Sequence, residues 1–149
     1  MKSGTNFQLK SWHGPYLQGV LGPILGVTKH RELYNGLIEL YVHHLVTLPN
    51  GQRIVHGRWE QERVTQAQHE KAVLAYWSGV GGRYVALGSH HRFHPFRILQ
   101  RGVGDWYLVQ WVGYPPCVPH ATWARIFRSK ARSTGRGNSS GQAVHYIEA

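Results

Sequence analysis

The sequence predicts an all-β protein, a single small barrel over residues 1–149 with one short helix near residues 58–74. Three observations carry this expectation. Eighteen glycines and seven prolines cut the 149-residue chain into short pieces, which favours strands and turns over long helices. Several of those pieces alternate apolar and polar residues with period two, the pattern of a half-buried strand. Phe7, Val46 and Val85 stand 39 residues apart, with Leu9, Leu48 and Leu87 following in the same register, as three repeated units would.

Taken in order, Phe7-Gln8-Leu9-Lys10-Ser11 reads as a first strand, and Leu37–Val42 as a second. Val46-Thr47-Leu48 runs into Pro49-Asn50-Gly51 and then Arg53-Ile54-Val55, a turn between two β-rich runs and so a hairpin. The segment from Arg58 to Leu74 holds no glycine or proline and many good helix formers, so it is read as the helix. Tyr84-Val85-Ala86-Leu87 reads as a strand before a His-rich turn. Phe96–Leu99 and Trp106–Val112 flank Arg101-Gly102-Val103-Gly104-Asp105 as a second hairpin. Trp123–Phe127 and Ala143–Ile147 are the last two strands, joined by a basic Gly/Ser/Arg loop at residues 128–142. The composition of that loop would leave it disordered in isolation.

Charge is the strongest functional signal. Seventeen Lys and Arg face seven Asp and Glu, a formal +10. Residues 1–70 hold seven basic and five acidic side chains, whereas residues 71–149 hold ten basic and two acidic, Asp105 and Glu148. A field of that sign attracts polyanions and speeds their association. Nucleic acid, RNA or DNA, heads the candidates, followed by acidic lipid, heparin-like glycans and acidic proteins. Cations also interleave with flat rings, in Arg92-Phe93-His94-Pro95-Phe96-Arg97 and in Trp123-Ala124-Arg125-Ile126-Phe127-Arg128. Such strings can pair phosphates while stacking on bases, although strand alternation would bury about half of the rings. The expected phosphate contacts are Arg92, Arg97, Arg101, Arg125, Arg128, Lys130, Arg132 and Arg136.

Other chemistries find less support. Cys117 is the only cysteine, so no intramolecular disulfide forms and a zinc site would lack its usual ligands. Eleven histidines include His43-His44 and the cluster His90, His91 and His94. Neighbouring strand residues face opposite ways, so His43 and His44 cannot share an ion, and neither a metal nor another cofactor is expected. A single Asp and no Gly-x-Ser-x-Gly string argue against nucleophilic catalysis, and the string from Ser78 to Arg83 lacks the Lys-Ser/Thr ending of a phosphate loop. A metal-independent nuclease pairing Glu60 with His90 or His13 stays open as an alternative. No apolar run approaches the roughly 20 residues of a membrane-spanning helix, and Met1–Asn6 lacks the apolar core of a signal peptide. The expected location is therefore intracellular, cytoplasmic or nuclear.

Two local family resemblances extend this reading. Phe7-Gln8-Leu9-Lys10-Ser11-Trp12-His13-Gly14-Pro15-Tyr16-Leu17, and more loosely Gly81–His91, resembles the opening of a fascin or hisactophilin-type β-trefoil unit. That resemblance spans residues 7–112 and implies a binding scaffold without catalysis. In the C-terminal half, Tyr107-Leu108-Val109-Gln110-Trp111-Val112-Gly113-Tyr114-Pro115 followed by Thr122-Trp123 resembles the chromodomain pattern. This second likeness, over residues 93–123, implies a small chromodomain-like barrel whose Phe93, Trp111 and Tyr114 form an aromatic cage for methylated lysine. The sequence departs from the pattern at Pro95, where a strand residue should pair, and at Ala124-Arg125, where acids usually follow Thr-Trp. The function expected from the whole is non-enzymatic binding of a polyanion, most simply nucleic acid. A structural subunit of a larger protein assembly and a methyl-lysine reader are the other classes.

Overall fold

The structure is a computed structural model that describes residues 6–9, 17–126 and 147–148. The protein is mostly β. Where the sequence suggested one domain, the chain divides into two compact units, Met1–Arg92 and Phe93–Ala149. Each carries one antiparallel sheet whose four strands lie side by side in sequence order. Both sheets are open among the described residues, so the expected closed barrel is corrected to two meanders.

In the first unit the sheet comprises β1 (Asn6–Leu9), β2 (Leu17–Glu32), β3 (Ile38–Thr47) and β4 (Arg53–Gln61). The hairpin read from Pro49-Asn50-Gly51 is present. Leu48 N–H donates to the Gln52 carbonyl at 2.8 Å, the Asn50 side chain accepts from Gln52 N–H at 2.9 Å, and Gly51 supplies a φ of 82°. The β3 strand alternates strictly, turning Ile38, Leu40, Val42, His44 and Val46 inward. It runs through the histidine pair that the sequence had set between two strands.

The 16-residue β2 was not foreseen, because Gly19, Gly22-Pro23 and Gly26 punctuate it. Its register with β3 shifts around Pro23, where a bulge accommodates the missing N–H. A Cβ on Gly22 would fall 2.5 Å from the Leu45 carbonyl oxygen, so glycine here permits close strand approach rather than a turn.

Helix α1 (Glu62–Gly79) starts and ends later than the sequence suggested, because Arg58–Gln61 completes β4. It places Val73 and Trp77 with Ile38, Leu40, Val42 and Leu87 in the core. Covering by a helix takes the place of barrel closure in hiding the sheet's apolar face. Tyr84–Leu87, expected as a strand, lies in a second, short helix, α2 (Arg83–Leu87). The reason is tertiary. Arg83 enters the core and grips the Glu62 carboxylate with two hydrogen bonds of 2.8 Å, while Trp77 Nε1 donates to the same carboxylate at 2.8 Å. The 39-residue spacing therefore joins positions in β1, β3 and α2, and the repeat is not a structural one.

The second unit contains β5 (Pro95–Arg101), β6 (Trp106–Trp111), β7 (Thr122–Ile126) and β8 (Ile147–Glu148). The Gly-rich hairpin forms as read, with Gly102 N–H bonded to the Trp106 carbonyl at 2.8 Å and Gly104 at a φ of 65°. Pro95 is tolerated as the first residue of its strand, opposite Trp111. The small core gathers Val109, Trp111 and Ala124, with Tyr107 and Tyr114 packed against it. The basic loop at 128–142 lies outside the described residues. Among the described residues no helix is long and apolar enough to cross a membrane.

Candidate nucleic-acid interface

Strand alternation divides β6 into two sets. Tyr107, Val109 and Trp111 face the core with Ala124 of β7, while Trp106, Leu108 and Gln110 face the other way. Register then assigns neighbours to that second face: Arg97 opposite Gln110, Gln100 opposite Leu108, Trp123 opposite Leu108 and Arg125 opposite Trp106. Arg97, Gln100 and Arg125 are exposed, and two large rings remain open beside them, Trp106 at 39% and Trp123 at 43%.

Each cation on this face has a support. The Arg125 guanidinium sits 5.3 Å from the Trp106 ring centroid, a cation–π contact that orients it without neutralising it. Arg97 Nε donates to Gln110 Oε1 at 2.6 Å, and its guanidinium lies 5.4 Å from the Phe96 ring. Gln110, fully buried, is itself fixed by donating to the Tyr114 carbonyl at 2.8 Å. The Trp106 ring and the Gln110 amide are both neutral groups. Trp123 lies down over the hairpin because Gly102 has no side chain: a Cβ there would meet the Trp123 ring at 2.7 Å and Trp106 Cβ at 3.3 Å.

The remaining expected phosphate contacts divide. Arg101 is exposed at the end of β5, in register with Tyr107 on the opposite set. Arg92 is exposed as the last residue of the first unit and is no part of this sheet. Arg128, Lys130, Arg132 and Arg136 lie outside the described residues. Trp106 was overlooked as a functional residue, because in the run Trp106-Tyr107-Leu108-Val109-Gln110-Trp111 either alternate set could have faced inward.

Phe93, Trp111 and Tyr114 do come together, as the chromodomain resemblance implied. Phe93 lies 6.0 Å from Trp111 and 5.4 Å from Tyr114, ring centroid to centroid. Their packing is nevertheless that of a hydrophobic cluster. Trp111 is only 6% exposed and its Nε1 is bonded to Thr122 Oγ1 at 2.9 Å. An ammonium group needs an open ring face, and Trp111 offers none, so the cage reading is corrected to a core role for this tryptophan.

Several titratable groups of the first unit pair with one another. Glu60 Oε1 accepts from His44 Nε2 at 2.7 Å and from Arg58 Nε at 2.6 Å, and its Oε2 lies 3.3 Å from Thr65 Oγ1. Burial alone would raise the Glu60 pKa, but the hydrogen bonds from Arg58 and His44 outweigh it and hold the carboxyl below its usual range. The sequence had offered His90 or His13 as the partner of Glu60; its histidine partner is His44, 2% exposed, while His13 lies outside the described residues. As their alternation requires, His43 points the other way, to Thr28 Oγ1 at 2.9 Å. Among the described residues no three His, Cys, Asp or Glu side chains converge as metal ligands would.

No family model, no curated protein and no solved structure matches this chain.

Proposed function

We propose that this protein binds nucleic acid through its second unit and does so without catalysis. The observation that carries the reading is one face of the second sheet, where exposed Trp106 and Trp123 share a side with Arg97 and Arg125. Phosphate contacts come largely from Arg and Lys side chains, and Arg97 and Arg125 are exposed. In the sequence of this unit, Asp105 and Glu148 are the only acids against seven Arg and Lys. Glu148 is the register partner of Arg125 on β8, and Arg97 is opposite Gln110 on β6.

Fluorescence anisotropy tests the reading, with labelled RNA, single-stranded DNA and duplex DNA titrated at low and high salt and heparin as competitor. Binding that weakens steeply with salt is expected, because each phosphate contact releases counterions. The slope of log K against log salt would be about −0.7 to −0.9 per contact. Absence of binding to every nucleic acid at low salt would overturn it.

A further inference from the structure

We infer that the Trp106–Trp123 face selects single-stranded over double-stranded nucleic acid by stacking on unpaired bases. The inference rests on the nucleic-acid reading above and names the substrate class of that same surface. Exposure of one tryptophan is unremarkable; two on one face of one sheet, interleaved with arginine, form a platform.

Register fixes their relation. Trp106 is opposite Arg125 and Trp123 is opposite Leu108, so the two tryptophans are diagonal neighbours on adjacent strands. Diagonal positions on neighbouring strands are within reach of large side chains, so the two rings can each take a base of one strand. Bases inside a duplex are already stacked on their neighbours, and unstacking them costs free energy. A splayed single strand bears no such cost, and every base offers a π-face whatever its identity. Arg97 and Arg125 are placed on the same sheet face to meet the phosphates between the bases. Gly102 is part of the device, since any side chain there would displace the Trp123 ring.

The full chain can be tested with four fluorescent probes at one salt concentration: oligothymidylate, an abasic strand of equal length, a duplex of equal length and inorganic polyphosphate. Oligothymidylate should bind about tenfold or more tightly than the duplex or the abasic strand, and quench tryptophan emission as it does so. Trp123→Ala should weaken oligothymidylate about tenfold and leave the abasic strand unchanged, Trp106→Ala should weaken oligothymidylate more than the abasic strand because its ring also orients Arg125, and Trp123→Phe, which keeps a ring, should retain most of the affinity. Equal affinity of the unaltered protein for thymidylate and abasic strands would overturn the stacking while leaving charge-driven binding intact. A preference for duplex would do the same. Loss of all binding, with self-association through this face on sedimentation, would overturn both and make the surface a protein contact.

Discussion

In the first sheet β3 turns Ile38, Leu40 and Val42 under helix α1, and its one polar inward residue, His44, is met by Glu60. In the second sheet β6 gives one set of side chains to a small core and leaves the other set, with Trp106 at its end, beside exposed Arg97 and Arg125. The arginines make the same contrast. Arg31 pairs with Glu39, Arg58 with Glu60 and Arg83 with Glu62, all in the first unit. Arg97 and Arg125 rest on a neutral amide and an aromatic ring. The same residue type is thus fixed by carboxylates in one half and meets an amide and an aromatic ring in the other. What decides between the two uses is the supply of acids, five in residues 1–70 and two in residues 71–149.

The comparison can be broken most forcefully at Arg83. Arg83→Met should cost roughly 3–5 kcal/mol in denaturant unfolding, because it leaves the Glu62 carboxylate buried without its cation. A change near zero would mean that the ion pair is not the clamp between α1 and α2. Next in size, Gly22→Ala should cost about 1–3 kcal/mol, since the added carbon meets the Leu45 carbonyl and the strands must part. Unchanged stability would show that the bulge around Pro23 can absorb it.

Acid should weaken the first unit in two stages. Burial lowers the pKa of His30, helped by Arg83 and opposed by Glu62, and burial lowers that of His56, helped by Arg58 and His44. With folded values below the ordinary 6.5, the unfolded chain takes up protons first, so the stability these groups give is full above pH 6.5 and is lost as pH falls from there through the lowered values. Glu60, also lowered, keeps its contribution above its ordinary 4.5 and loses it as pH falls further. Unfolding midpoints measured at pH 7.5, ~5.5 and ~3.5 should decline stepwise, and a midpoint unchanged between the first two would remove the histidine stage. The smallest effect is expected at Arg125. Arg125→Ala should change stability by no more than about 1 kcal/mol, the size of an exposed cation–π contact. Yet it should reduce the salt slope of nucleic-acid binding by about one contact; a slope that stays the same would remove Arg125 from the interface.

Legibility in the sequence followed the range of the interactions involved. Pro49-Asn50-Gly51 and Gly102-Val103-Gly104 announced their hairpins because turn chemistry is local, fixed by a positive φ and a few neighbouring hydrogen bonds. The Gly22-Pro23 stretch misled because the same residue types serve a bulge and a close strand approach, and only the partner strand distinguishes these from a turn. Tyr84–Leu87 misled because its β-branched and aromatic character was outweighed by one distant carboxylate, that of Glu62.

By itself, then, the sequence determined the mostly β character, both hairpins, a helix in the middle of the chain and the concentration of positive charge in the second half. Each of these depends on composition, on period-two alternation or on turns of a few residues. Tertiary structure alone decided which arginines are used up by acids, that Trp111 is core rather than cage, and that Trp106 and Trp123 share an open face. Those outcomes depend on which alternate set of a strand another element covers, and two sets of nearly equal apolar character on β6 leave that choice to the rest of the fold.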